Sequence, residues 1–145
     1  MPDSKRNDQK NLIALLEGKI LVDDFLTMYR DRIDAKFSET SIYRSITKID
    51  IDSSVKIPVT HHHLVNMLKK YFRHEISDDQ LSNWATSIVA GDWFVPEGET
   101  LDEQWAAGDG LLWTYINQLV TPQFCDGTVF ENINKMIDEL KKSYE

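Results

Sequence analysis

Residues 68–88, with the sequence LKKYFRHEISDDQLSNWATSI, decide the fold because they predict two helices joined by a short turn. Leu81, Trp84 and Ile88 recur at spacings of three and four residues, which is typical of a helix with one buried face. This helix is predicted to begin after Ser77, whose hydroxyl accepts a backbone hydrogen bond in a capping box. The sequence therefore predicts an αα-hairpin with Trp84 in its core.

A second helix precedes this turn. It is predicted to begin after Pro58, which breaks a helix and leaves Thr60 as the N-cap. The turn falls around His74 and Glu75, and the helix after it is predicted to end near Gly91. The apolar stripe of the preceding helix consists of Leu64, Leu68, Tyr71 and Phe72.

The N-terminal part of the chain repeats this plan. Aligning residues 15–25 (LLEGKILVDDF) with residues 71–81 (YFRHEISDDQL) places Ile20 on Ile76, at an offset of 56 residues (76 − 20). We expect two hairpins of similar build, each with one buried isoleucine in its turn. Convergence on one turn geometry is favoured over duplication, because Leu21 replaces the capping serine of the second copy. The first hairpin has apolar stripes at Leu12, Leu15 and Leu16, which end near Gly18, and at Phe25, Tyr29, Ile33 and Phe37, from about Val22 onward.

Within residues 38–59, between the two hairpins, apolar side chains at odd positions from Ile49 to Val59 give the alternation of a half-buried strand. A small β-hairpin that turns at residues 52–54 is one interpretation of this alternation. An irregular or mobile arm is the other, because an isolated two-stranded hairpin is only marginally stable. The alternating apolar residues are Ile49, Ile51, Val55, Ile57 and Val59.

A long loop at residues 91–100 is followed by a predicted helix from Leu101. We expect this helix to break at Gly-Asp-Gly (108–110), since each glycine costs about 1 kcal/mol relative to alanine within a helix. Asp109 is predicted to cap a second segment that runs to about Val120.

The last predicted helix covers about residues 129–144, and Thr128 and Glu131 form its capping box. Together, these elements predict an all-α protein, a single-domain bundle of about six helices over residues 1–145. A chain of this length can bury one sizeable core without disulfides or metal. The stripe of the last helix consists of Phe130, Ile133, Ile137, Leu140 and Tyr144.

Charge is distributed unevenly along the chain. Residues 74–134 contain no lysine or arginine and eleven acidic side chains, which gives them a formal charge of −11. Residues 1–73 carry +3 and residues 135–145 carry 0, so the net charge of −8 arises in this acidic stretch. Such a field repels nucleic acid and anionic membranes and attracts cationic partners. The alternative is a well-solvated face that keeps the protein soluble.

Metal and cofactor sites are not expected. The consecutive residues His61, His62 and His63 point about 100° apart on a helix, so they cannot all face one ion. The acidic pairs 23–24 and 78–79 lie in first turns of helices, where the macrodipole favours carboxylates for structural reasons.

The cellular location follows from two features of the sequence. The single cysteine, Cys125, permits no intrachain disulfide, which suits a reducing cytosol. No apolar run approaches the roughly 20 residues that a membrane span needs. We therefore expect a cytoplasmic protein that is a monomer or a weak dimer.

Aromatic and acidic residues alternate within residues 93–113, which suits contact with a basic protein surface. Tryptophan is over-represented among the residues that dominate interface energies. Trp93 lies in a loop and Trp113 lies off the apolar stripe of its helix, so these two are the predicted aromatic contacts. The predicted acidic contacts are Glu97, Glu99, Asp102, Glu103 and Asp109.

The stretches LIALLEGKILVDDFLTMY (12–29) and LKKYFRHEISDDQLSNWATSI (68–88), in a small acidic helical chain, resemble bacterial immunity proteins of the colicin and contact-dependent growth inhibition type. The resemblance implies a cytosolic protein that binds and blocks one cognate toxin domain, often a cationic nuclease. It also implies inhibition by covering the active site of the toxin and mimicking the charge of its nucleic acid.

Two other classes of function stay open. A helical adaptor or regulator that binds another basic protein would have the same acidic surface, but no toxin gene would lie beside its own gene. A small enzyme would need residues that are distant in sequence, such as His61, His74 and Cys125, to meet in the fold. The sequence favours a binding protein over an enzyme, because it contains no recognisable catalytic motif.

Overall fold

The computed structural model describes residues 2–32, 42–52, 54–91, 93–96, 111–120 and 128–144. Within these residues the protein has seven α-helices and one small two-stranded sheet, which confirms the predicted all-α architecture. The helices are α1 (Pro2–Leu16), α2 (Val22–Met28), α3 (Ile42–Thr47), α4 (His61–Phe72), α5 (Asp78–Ala90), α6 (Leu111–Val120) and α7 (Thr128–Tyr144). A 3₁₀ turn covers Arg30–Arg32, and the strands are β1 (Ile57–Val59) and β2 (Phe94–Pro96).

Helix α5 lies at the centre of the fold, because it packs against α1, α2, α3, α4 and α6. Its Trp84 is 2% exposed, which confirms its predicted place in the core. Helix α7 completes the core by packing against α4 and α6. Each of the seven described helices has fully buried apolar side chains in this core, among them Leu12, Phe25, Ile46, Leu64, Leu81, Leu112 and Leu140.

The helices of the second hairpin begin where their caps were predicted. Ser77 Oγ accepts from the backbone N–H of Gln80 at 3.2 Å, and the Gln80 side chain accepts from the Ser77 N–H at 2.8 Å. Thr60 precedes α4 as expected, but a histidine completes this cap. The Thr60 N–H donates to Nδ1 of His63 at 2.9 Å, so His63 has the structural role that Gln80 has in α5.

The two hairpin turns have one backbone geometry. Gly18 after α1 and His74 after α4 both have left-handed backbones, with φ of 74° and 61°. They are related by the 56-residue offset (74 − 18) that relates the sequences. Each turn is a Schellman motif, in which two successive amides satisfy the last carbonyls of the helix. In the first turn, the Gly18 and Lys19 N–H groups donate to the carbonyls of Leu15 and Ala14, respectively. In the second turn, the His74 and Glu75 N–H groups donate to the carbonyls of Tyr71 and Lys70, respectively.

The isoleucines of the two turns differ in burial. Ile76 is 9% exposed and belongs to the core, whereas Ile20 is only partly buried against it. The expectation of a buried isoleucine in each turn is therefore met fully in the second hairpin and partly in the first.

Helix α2 is shorter than its apolar stripe indicated. The stripe reaches Phe37, but the helix ends at Met28 and the 3₁₀ turn follows. The Thr27 hydroxyl donates to the Asp23 carbonyl at 2.9 Å, which is the side-chain bonding that weakens and bends helices. Ile33 and Phe37 lie outside the described residues.

The segment at 38–59 is not a β-hairpin in its described part, residues 42–52 and 54–59. It contains helix α3 and strand β1, and β1 pairs in parallel with β2 from the predicted loop at 91–100. The register places Ile57 opposite Phe94. The hairpin interpretation is wrong because alternation identifies a half-buried strand but not its partner, which here is distant in sequence.

The burial inferred from the same alternation is confirmed. Ile49, Ile51, Val55, Ile57 and Val59 are all buried. The predicted turn also exists, because the Ser54 N–H donates to Asp52 Oδ1 at 2.8 Å. Residue 53, between them, lies outside the described residues.

The last two helices agree with the sequence. Helix α6 begins directly after the predicted break at 108–110 and ends at Val120, and α7 begins at Thr128, one residue before the predicted start. The helix predicted from Leu101 and the cap predicted at Asp109 lie outside the described residues, as does the Thr128 side chain.

Candidate functional site

The acidic stretch, residues 74–134, is a connected part of the fold where the structure describes it. It includes α5, β2, α6 and the beginning of α7. Helix α5 packs against α6, and α6 packs against α7. The described helices of this stretch, α5, α6 and α7, therefore adjoin one another.

Four carboxylates of this stretch lie in the described residues, and their environments differ. Glu75 forms an ion pair with Arg73 at 3.6 Å, in which the two side chains are 51% and 64% exposed. An exposed pair of this kind contributes about 0–1 kcal/mol to stability. Asp78 accepts a hydrogen bond from the Tyr71 hydroxyl, which ties α4 to α5. The four are Glu75, Asp78, Asp79 and Glu131.

Asp78 and Asp79 occupy the first turn of α5, the position at which the helix dipole stabilises negative charge. This location agrees with the structural role predicted from the sequence. The five carboxylates predicted to contact a partner, Glu97, Glu99, Asp102, Glu103 and Asp109, lie outside the described residues.

Trp93 is buried, which corrects the expectation that it offers its ring to a partner. Its side chain is 5% exposed and packs on Gly91, where an added Cβ would lie 2.7 Å from the indole. The ring also meets Phe94 edge to face, with centroids 6.4 Å apart. The Trp93 carbonyl accepts from the Ile57 N–H at 2.6 Å. The pairing of β1 with β2 thus places Trp93 in the core, although its position in a predicted loop indicated an exposed side chain.

Trp113 is half-buried on α6. The inner face of this helix consists of Leu112, Ile116 and Leu119, all 0% exposed, and Trp113 lies beside this stripe as the sequence indicated. Its carbonyl accepts from the Asn117 side chain at 2.9 Å. Trp113 therefore packs against the core while remaining partly exposed, and it is the predicted aromatic contact that the structure leaves partly accessible.

Tyr115 joins α6 to α7, because its hydroxyl donates to the Glu139 carboxylate. Burial of the phenol, together with the hydrogen bond to Glu139 and the negative charge of Glu139, raises the pKa of Tyr115 from 10.0 to about 12. No sequence signal pairs these residues, since they lie on different helices.

A buried polar cluster joins α1 to α2. Asp8 is 4% exposed and accepts from the Tyr29 hydroxyl at 2.6 Å. The same hydroxyl accepts from the Asn11 side chain at 3.1 Å. Asp8 lies in a polar N-terminal segment and Tyr29 in an apolar stripe, so the sequence gives no sign of their contact.

The three consecutive histidines have three different environments. His61 is 2% exposed, and its ring lies 4.0 Å from that of the exposed His62, while His63 completes the cap of α4. Their environments differ because successive residues are rotated by about 100° around a helix. Among the residues that the structure describes, no group of three or more histidine, cysteine or acidic side chains has the geometry of a metal site.

The residues named for a possible enzyme are not brought together where they are described. His61 begins α4 and His74 follows its end, so the 12-residue helix separates them by about 18 Å along its axis. Cys125 lies outside the described residues.

No described helix combines the length and apolar character that crossing a membrane requires. Comparison with protein-family models, curated proteins and solved structures finds no match for this chain.

Proposed function

We propose that this protein is a cytoplasmic immunity protein that binds and neutralises one cognate basic toxin domain, a nuclease, in a one-to-one complex. The observation that carries the proposal is the acidic stretch, which holds a formal charge of −11 over residues 74–134. A nuclease active site is electropositive because it binds a polyanion, so an anionic protein surface complements it.

The proposed mechanism is steric and electrostatic occlusion. Carboxylates of residues 97–109 pair with lysines or arginines of the toxin, while Trp113 contributes apolar contact at the edge of α6. Charge pairs that become desolvated at the centre of the interface would supply affinity, and pairs at the rim would mainly accelerate association. Trp93 has a structural role in this mechanism and does not contact the toxin. Its packing on Gly91 fixes the start of β2, which directly precedes the acidic residues.

The packing of the described elements supports this arrangement. Helix α5 lies at the centre of the fold and contacts α6 directly, so the described part of the acidic stretch includes the most extensively packed helix of the molecule. A rigid scaffold within a binding protein reduces the entropy lost on binding.

The first test is a pull-down with the tagged protein from a host lysate that contains the product of the neighbouring gene. Recovery of one basic protein of domain size at near one-to-one stoichiometry supports the proposal. If no basic protein is recovered with the neighbouring product present, the immunity proposal fails and an adaptor with a different partner takes its place.

The second test compares two quadruple variants that remove the same total charge. Glu97→Gln, Glu99→Gln, Asp102→Asn and Glu103→Gln neutralise the proposed contact tract. The control changes four exposed carboxylates outside residues 74–134, namely Asp23→Asn, Asp24→Asn, Asp31→Asn and Asp138→Asn. The first variant should slow association with the recovered partner by roughly tenfold at low salt and flatten its salt dependence. Equal effects of the two variants would show that total charge, not this tract, governs binding.

A further inference from the structure

Helix α6 has no charged side chain, and it is the only described helix of which this is true. Charged residues make up 28% of the chain, and a surface helix usually carries them on its outer face. The run without charge covers residues 110–125, and a second such run covers residues 80–91, which include most of α5. Helix α5 packs against α6, so the two uncharged segments adjoin where the structure describes them.

Both helices have half-buried side chains on their outer sides, although their inner sides are buried in the core. On α5, Ser82, Thr86 and Val89 recur at spacings of four and three residues, so they form one row. On α6, Trp113 and Asn117 lie four residues apart and form a second row. We call these five half-buried residues the uncharged surface.

Trp113 and Asn117 lie on the flank of α6 that is turned away from α7. Tyr115 marks the flank next to α7, because its hydroxyl donates to the Glu139 carboxylate. Trp113 and Asn117 are each two residues from Tyr115, and two residues correspond to a rotation of about 200° around a helix. Helix α7 therefore does not cover this row of the uncharged surface.

Two polar side chains of the uncharged surface already have partners within their own helices. The Thr86 hydroxyl donates to the Ser82 carbonyl at 2.8 Å. The Asn117 side-chain amide donates to the Trp113 carbonyl at 2.9 Å. Burial of a polar group is costly when the group is left without a hydrogen-bond partner. Because both donors are bonded internally, an apolar surface of another protein can cover them without leaving them unpaired.

We propose that the uncharged surface is the centre of the contact with the basic toxin domain and that carboxylates form its rim. This inference rests on the proposed function and adds the position of the centre of the contact. Interface centres are depleted in charged residues and enriched in tryptophan, whereas rims are polar. The rim includes Asp79, which is exposed and precedes Ser82 by three residues on the same row of α5. The matching toxin surface is an apolar patch surrounded by lysines and arginines, because residues 74–134 contain neither.

Surface plasmon resonance with the purified product of the neighbouring gene immobilised measures association and dissociation rates separately. Thr86→Glu and Asn117→Asp each place a negative charge on the uncharged surface. Thr27→Glu and Asn134→Asp make the same changes at exposed positions on α2 and α7. Thr27 is a close match for Thr86, because its hydroxyl also donates to the carbonyl four residues earlier. Circular dichroism of each variant confirms that the fold is retained.

An added negative charge attracts a basic partner, so we expect each variant to associate at least as fast as the wild type. Thr86→Glu and Asn117→Asp should each raise the dissociation rate by about tenfold or more, because their charges become buried without a partner. The two controls should dissociate within about twofold of the wild-type rate. Dissociation of either surface variant at the rate of its control overturns this inference and leaves the proposed function intact. If the wild type does not bind the immobilised product, both fail.

Discussion

The indole Nε1 of Trp84 donates to the carbonyl of Leu16 at 3.2 Å, and this bond fastens the second hairpin to the end of α1. The last carbonyls of a helix have no partner within it, so other groups must satisfy them. Side chains of α4 bind the next two carbonyls of the same turn. Asn66 Nδ2 donates to Glu17 O at 3.1 Å, and Lys70 Nζ donates to Gly18 O at 3.0 Å.

Replacement of Trp84 by phenylalanine should lower the free energy of unfolding by about 1–3 kcal/mol, because a buried carbonyl loses its donor. Urea denaturation measures this change. Trp113→Phe is the matched control, since Trp113 is half-buried and its indole is not in the core. We expect a change below about 1 kcal/mol for the control. Similar losses in both variants would mean that ring volume, not the bond to Leu16, governs the effect.

The two Schellman turns should respond to substitution in opposite directions. Gly18→Ala should destabilise the protein by at least about 1 kcal/mol, because φ is left-handed and the new Cβ would lie 2.6 Å from Met67 Sδ. His74→Gly should stabilise it by up to about 1 kcal/mol, because glycine adopts the same turn without steric cost. Thermal unfolding of both variants checks the pair. Destabilisation by His74→Gly would show that contacts of the histidine side chain stabilise the fold by more than its left-handed backbone conformation destabilises it.

The cap of α4 depends on His63. His63→Ala removes the acceptor of the Thr60 N–H and should cost roughly 1 kcal/mol in urea denaturation. His63→Gln should recover most of this loss, because a glutamine has the same role in the cap of α5. A glutamine variant no more stable than the alanine variant would assign the loss to packing of the imidazole.

Tyr115 makes stability fall at high pH. Its pKa is about 12 in the folded protein and close to 10 in the unfolded chain, so between these values the unfolded state has released a proton that the folded state retains. The contribution is fully present below pH about 10 and is lost as the pH rises toward about 12. Urea denaturation at intervals across this window should show a steeper fall for the wild type than for Tyr115→Phe. If the free energies of unfolding of the two proteins fell in parallel with pH, the loss would be due to groups other than Tyr115.

Local signals in the sequence predict the helices well. Ser77, Thr60 and Gly91 mark the ends of α4 and α5 because capping depends on residues within a few positions of the helix. The alignment of the two hairpins also predicts a similar turn in each, because a Schellman motif depends on the backbone conformation of only a few consecutive residues. Helices α2 and α3 are the exceptions. The apolar stripe of α2 continues past the point at which the backbone leaves the helix, and α3 lies in a segment for which a β-hairpin or an irregular arm was expected.

Long-range contacts explain what the sequence could not predict. The pairing of β1 with β2 joins Ile57 to Phe94, 37 residues apart (94 − 57), and alternation within one strand gives no sign of this partner. The burial of Trp93 depends on that pairing, so an apparently exposed loop residue belongs to the core. Within the candidate site, charge could be predicted from composition and the position of Trp113 from the helical periodicity, but the burial of Trp93 could not.

The strand pair also closes the second hairpin at its base. Strand β1 directly precedes α4 and strand β2 follows α5. Their pairing therefore joins the two ends of the segment 57–96. We expect this closure to couple opening of the hairpin to separation of the strands. The Ile57 amide, which donates to the Trp93 carbonyl at 2.6 Å, lies at this closure. Its hydrogen-exchange rate would report the opening of the whole segment.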